Sequence, residues 1–189
     1  MEQKELDGIL TFLRNAEQLK DTLRSAHTAQ GRVESTAEHT WRLCLMALLL
    51  ADSYPHIDQL KLIKLCIIHD LGEAVSGDIP AIHQQAGVDK SIDERKDFLS
   101  LVKPLDEHLR QELIDLWDEY DQAQTEEAKL AKALDKMETI LQHTQGKNPA
   151  DFDYEFNLSY GKKWTDFDPL TATIRAIIDE ETARRGREG

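Results

Sequence analysis

Apolar residues recur at spacings of three and four along nearly the whole of this 189-residue chain, and strand-forming types are too scattered to build alternating runs. That periodicity suits amphipathic helices, so an all-α fold is expected. A first helix is expected from about Lys4 to about Leu23, with Leu6, Ile9, Leu10, Leu13 and Leu19 facing inward and a loop containing Gly31 after it. The run Ser35-Thr-Ala-Glu38 has capping-box spacing and opens a second helix that ends before Pro55. A third runs from about Ile57 to His69 through LKLIKLCII, apolar on nearly every side, and breaks near Gly72; Gly77 and Pro80 then mark a loop. Further helices are expected at roughly 90–102, 105–121, 125–145 and 169–185, joined by turns carrying Pro104, Gly146, Pro149 and Pro169, while 146–168 has the least defined pattern. No repeat, low-complexity tract or flexible linker divides the chain, so one helical domain over 1–189 is expected.

Charge and composition narrow the function. Against 36 acidic residues stand 23 basic ones, a net charge of −13, which opposes binding to a nucleic-acid polymer or an anionic membrane. The longest apolar run, within LCLMALLLAD, is far shorter than the roughly 20 residues a membrane span needs, and MEQKELDGIL has no basic segment followed by an apolar one. Cys44 and Cys66 both sit in apolar segments, without a CxxC pair, and read as buried thiols in a reducing compartment. A cytoplasmic protein is expected. A small phosphate ester is still compatible with this charge, because a metal ion and one or two arginines reverse the local potential inside a cleft.

Two histidines lie on inward-facing stripes. His39 is in register with Leu43, Met46 and Leu50; taken alone, such a histidine is usually a satisfied core residue. His69 is in register with Leu62 and Leu65 and is followed directly by Asp70, so an apolar helix ends in a histidine and a carboxylate. An ionised aspartate there is costly unless it is paired or coordinates a cation. Asp135, in KLAKALDKMETIL, sits at the edge of the stripe Leu130, Leu134, Met137 and Leu141, where pairing with Lys132 as a surface carboxylate is the competing reading. Two histidines and two aspartates from three helices make an N₂O₂ set suited to a catalytic divalent metal with open positions, unlike a closed structural zinc site.

His39, the doublet His69-Asp70 and the distant Asp135 resemble the H…HD…D pattern of the HD-domain superfamily of metal-dependent phosphohydrolases, over about 35–140. The surrounding STAEHTWRL, HDLGEAVSGDIP and LDKMETIL look like the branch containing 5′-deoxynucleotidases. The resemblance implies a single-domain helical bundle of the HD type. It would hold one divalent metal ion (Co, Mn, Mg, Zn, Fe or Ni) through His39, His69, Asp70 and Asp135. It would hydrolyse (deoxy)nucleoside 5′-monophosphates to nucleoside and phosphate, commonly as a homodimer. Glu73, three residues past Asp70, and Asp78 in the following loop are implied as the general acid–base pair. Arg24 is implied against the substrate phosphate and Glu119, in LWDEYD, near the nucleotide pocket, while Arg42, three residues after His39, is turned off the apolar stripe and is a further candidate for the pocket. Related sequences place a tryptophan shortly after the Arg24 position that contributes to selection against ribose; here the text is RSAHTAQGR, with His27 nearest that place, and a histidine does not supply the same steric wall.

Two other readings share these residues: an HD phosphohydrolase acting on another small phosphate ester or signalling nucleotide, and a non-catalytic module that keeps the metal for ligand sensing. The small format, without added domains or further metal-ligand histidines, favours a small substrate, and the presence of both Glu73 and Asp78 favours catalysis.

Overall fold

The structure, a computed structural model, describes residues 1–79 and 91–188. Pro80 and residue 90, where the fourth expected helix begins, lie outside them. Helix α1 (Gln3–Ala16) passes through a short 3₁₀ turn into a two-stranded antiparallel hairpin of β1 (Leu23–His27) and β2 (Val33–Ser35), followed by α2 (Thr36–Leu50), α3 (Gln59–Ile68) and α4 (Glu73–Ser76). Then come α5 (Ser91–Val102), α6 (Glu107–Gln122), α7 (Glu126–Gln145), the short α8 (Tyr154–Ser159) and α9 (Lys162–Thr165), and α10 (Pro169–Glu188).

The helical class holds, with corrections at the first two elements. The first helix ends well before Leu23, and the residues from there to His27 are extended because the strand packs on α7, where Gln142 Nε2 donates to the His27 carbonyl at 2.6 Å. Leu6, Leu10 and Leu13 are exposed rather than inward. The helix is turned so that Gly8 is its buried residue: a Cβ there would stand 2.3 Å from the Pro104 carbonyl oxygen, so only glycine lets the two backbones approach this closely. Ser35 caps α2 as its spacing predicts. Its side chain accepts from the Glu38 amide, and the Glu38 carboxylate accepts from the Ser35 N–H at 2.9 Å.

Two further differences concern which helix is central. Although α3 reads as apolar all round, it leaves Leu60 and Ile67 exposed. The helix enclosed on nearly every side is α7, which packs against α2, α3, α6, α9, α10 and β1 and buries Leu130, Leu134, Met137 and Ile140 completely, together with Ala131 and Ala133. Small residues between the large ones let neighbours close in from several directions, a pattern that a single stripe does not describe. The region 146–168 is ordered into α8 and α9, and α8 packs against α10.

Candidate metal centre

Three helices deliver the metal-binding candidates to one place. The Ser35 cap fixes the start of α2 and so sets His39 on its buried face. His69 is the C-cap of α3, and its Nδ1–H donates back to the Cys66 carbonyl at 2.8 Å; Asp70 follows in the turn before α4. That turn is tight because Gly72 lies under α5, where a Cβ would meet the Glu94 carbonyl oxygen at 2.6 Å. Asp135 comes from the middle of α7 and is 4% exposed, so it is not a surface carboxylate; its ion-pair partner is Lys136, with Nζ 2.8 Å from Oδ2, and not Lys132. Lys132 stands over the Tyr120 ring instead, 4.6 Å from its centroid.

Ring nitrogens and carboxylate oxygens of these four residues converge. His39 Nε2 is 3.3 Å from Asp135 Oδ1 and 3.8 Å from Asp70 Oδ2, and His69 Nε2 is 3.0 Å from Asp70 Oδ2 and 3.9 Å from Asp135 Oδ1. Metal–ligand bonds of roughly 2.0–2.1 Å place neighbouring ligand atoms roughly 3.0–3.4 Å apart; His39, His69 and Asp70 already group within 4.8 Å of one another, and Asp135 Oδ1 adjoins the two histidines. Both Nε2 atoms are buried without a hydrogen-bond partner, an arrangement that a cation relieves. Each histidine is oriented through its other nitrogen: Nδ1 of His39 is hydrogen-bonded to Glu138, and Nδ1 of His69 to the Cys66 carbonyl. Glu34, His39 and Glu138 form a second group of possible ligands, but Glu138 already occupies Nδ1, so this group is the supporting side of the same histidine.

The electrostatics point the same way. Burial and the nearby Arg24 oppose a charge on His39, yet Glu138 and Asp135 outweigh them and push its pKa up to about 9, so the site favours positive charge at this point. Burial likewise opposes ionisation of Asp70, but His69 and Arg24 hold its carboxyl below the ordinary range. For Asp135 the same opposition is overcome by Lys136 and His39.

Several supporting residues carry no motif of their own. Tyr120 donates to Asp135 Oδ2 at 2.7 Å, so with Lys136 it holds one carboxylate oxygen and leaves Oδ1 toward the histidines. Glu138 is fully buried and accepts from Arg42 Nε at 2.6 Å. The signal that could have found Glu138 is its place one turn beyond Asp135, as a second carboxylate among Met137 and Ile140 on a buried helix.

A cleft of about 760 Å³ opens over this cluster, lined at one end by Arg24, Asp70, Glu73, Asp78 and Asp135. Arg24 lies on β1 rather than at a helix end. Its Nη1 is 3.3 Å from Asp70 Oδ2 and its Nη2 donates to Thr139 at 3.1 Å. Burial opposes its charge, but Asp70, Asp78, Glu73 and Asp135 together raise its pKa. Glu73 is buried, and its Oε2 accepts from Thr36 Oγ1 at 3.1 Å. Ser25 and His27 line the cleft beside Arg24. Arg42 does not line it and is engaged with Glu138. Glu119 is also elsewhere, in the groove between α3 and α6, 3.0 Å from Lys61 Nζ and accepting from Thr125 at 2.5 Å.

A helical domain in which two histidines and two aspartates gather at the floor of a cleft offers the ligand types that a metal-dependent hydrolase uses. Residues 16–175 match the HD-domain family model, and the chain belongs to that family. It is 34% identical to the mouse 5′-deoxynucleotidase HDDC2 over 73% of this chain and 69% of that protein. It is 29% identical to the Saccharomyces cerevisiae 5′-deoxynucleotidase YBR242W over 88% of this chain and 68% of that one. Among solved structures it is similar to a predicted metal-dependent phosphohydrolase from Magnetospirillum magnetotacticum, with a TM-score of 0.80, 28% identity, and coverage of 97% and 98% of the two chains.

Proposed function

We infer that the protein is a metal-dependent phosphohydrolase that cleaves deoxynucleoside 5′-monophosphates to nucleoside and phosphate. The observation that carries this reading is the convergence of two unpartnered imidazole Nε2 atoms and two carboxylates beneath a cleft holding Arg24, Glu73 and Asp78. His39, His69, Asp70 and Asp135 would hold one divalent ion, which when bound supplies Lewis-acid polarisation of a phosphoryl oxygen and acidification of a water. Arg24, held against Asp70 and Thr139, presents a fixed guanidinium to the substrate phosphate. Glu73, oriented by Thr36, holds the attacking water by its proton, and Asp78, which also lines the cleft, protonates the leaving 5′-oxygen. Arg42 acts through Glu138 on the orientation of His39 rather than on the substrate. Glu119, paired with Lys61, is left out of substrate binding.

The protein is further proposed to be a cytoplasmic homodimer. Both cysteines are free, and no helix of the described residues is long and apolar enough to cross a membrane. Trp41, Leu48 and Leu49 are exposed on α2, a concentration of large apolar side chains that a second copy would cover.

The test is phosphate release from chelator-treated protein with ribo- and deoxyribonucleoside 5′-monophosphates, each supplied with Co²⁺, Mn²⁺, Mg²⁺ or Zn²⁺. Metal-restored turnover of the deoxynucleotides is expected, with ribonucleotides also accepted because His27, which lines the cleft, is nearest the place where related sequences carry a tryptophan and supplies no such steric wall. No release from any nucleotide with any metal overturns the reading.

A further inference from the structure

The far wall of the cleft belongs to the segment 149–164, which none of the catalytic residues uses. Phe156 and Tyr160 of this wall stack with ring centroids 5.5 Å apart, and Phe152 packs edge-on against His143 of α7 at 5.0 Å. Between them stands Asn157, which lines the cleft although only 1% of its surface is exposed. Its Oδ1 accepts from His143 Nδ1 at 3.1 Å, while its Nδ2 is buried with no hydrogen-bond partner. His27, across the cleft on β1, likewise has a buried Nδ1 without a partner. An unpaired buried donor costs about 1–3 kcal/mol, and native structures keep such groups where a ligand satisfies them.

The position of Asn157 is rigidly set. Arg175 of α10, itself 2% exposed, donates from Nη2 to the Asn157 carbonyl at 2.8 Å and from Nη1 to the Tyr160 carbonyl at 2.7 Å, and its Nε is bound by Asp179 at 2.7 Å. A buried guanidinium thus ties the Asn157–Tyr160 stretch of the wall to α10. Besides the charged Asp151, Asp153, Lys162 and Lys163, this wall brings to the cleft the π-faces of Phe152, Phe156 and Tyr160 and the Asn157 amide, which the phosphate end lacks and which suit a flat heterocycle.

On the nucleotidase reading, we propose that Asn157 is a specificity-determining residue that hydrogen-bonds the nucleobase, with Phe152 and Phe156 packing around it. Its amide donates to a ring or carbonyl acceptor of the base, while His143 fixes the amide's other end.

The experiment compares kcat/KM for each deoxynucleoside 5′-monophosphate with kcat/KM for deoxyribose 5-phosphate, which lacks a base, in the wild type and in Asn157→Ala and Asn157→Asp. Circular dichroism serves as the folding check. In Asn157→Ala the nucleotide-to-sugar ratio falls roughly ten- to hundredfold, mainly through KM. Asn157→Asp keeps the acceptor for His143 but removes the donor, and so changes the order of preference among the four bases. If the wild type turns over deoxynucleotides but both variants keep the wild-type ratio and order, the base-reading role is wrong and the nucleotidase reading stands. A wild type that releases phosphate from no nucleotide overturns both.

Discussion

Glu73 is the residue whose proposed role is easiest to isolate, because it lines the cleft but is not among the proposed metal ligands. Glu73→Gln keeps the shape and the hydrogen bond from Thr36; bound metal is expected to be unchanged while kcat falls about a hundred- to ten-thousandfold, and unchanged turnover would remove its role. Glu138→Gln tests the support behind the metal: weakening its bond to His39 should cost about ten- to hundredfold in cation affinity, read by calorimetric titration. His143 gives a pH prediction. Burial, partly offset by the bond to Asn157, pushes its pKa down to about 4, against about 6.5 in the unfolded chain. Between these values the unfolded chain binds a proton that the native one does not, so this contribution is fully present above about pH 6.5 and is lost as the pH falls toward 4. It amounts to about 3 kcal/mol at most, and in His143→Gln the stability measured by urea unfolding should fall less steeply across that window. The motif residues were legible because their order along the chain and their places on apolar stripes both singled them out. Tyr120, Lys136 and Glu138 were not, because a phenol, an ammonium and a carboxylate on a helix look solvated until packing encloses them.

Among the elements, α7 carries the most weight, since it supplies Asp135 and Glu138 to the site and Leu134 to the core. Leu134→Ala should destabilise the fold by about 2–5 kcal/mol in chemical unfolding, because the enclosing helices cannot collapse into the space left. A cost below about 1 kcal/mol would mean that α7 is not the packed centre. Helix spans read well from periodicity and from capping signals such as Ser35 and Glu38. The hairpin did not, because Leu23–His27 lacks an alternating pattern and is held extended by α7, a contact remote in sequence. Arg24, which the resemblance sets against the substrate phosphate, lies on this strand, partly buried and 3.3 Å from Asp70. Glu119, which the resemblance sets near the nucleotide pocket, is turned by α6 toward Lys61, and its sequence context alone carries no signal of either place.

At the scale of the whole molecule, the negative net charge and the positively demanding cleft are compatible because burial isolates the site from the acidic surface. The exposed apolar side chains of α2 belong to this scale as well. Light scattering should give a dimer for the wild type and a monomer for the double variant Leu48→Glu, Leu49→Glu, and a monomeric wild type would contradict the dimer. The central claim is that one divalent ion held by His39, His69, Asp70 and Asp135 is required for hydrolysis, and the direct measurement is metal content and phosphate release on the same samples during a cation titration of chelator-treated protein. Release should rise in proportion to bound cation and level off at one ion per chain, with Asp70→Ala neither binding the ion nor releasing phosphate. Full release from metal-free protein, or from Asp70→Ala, would contradict the account.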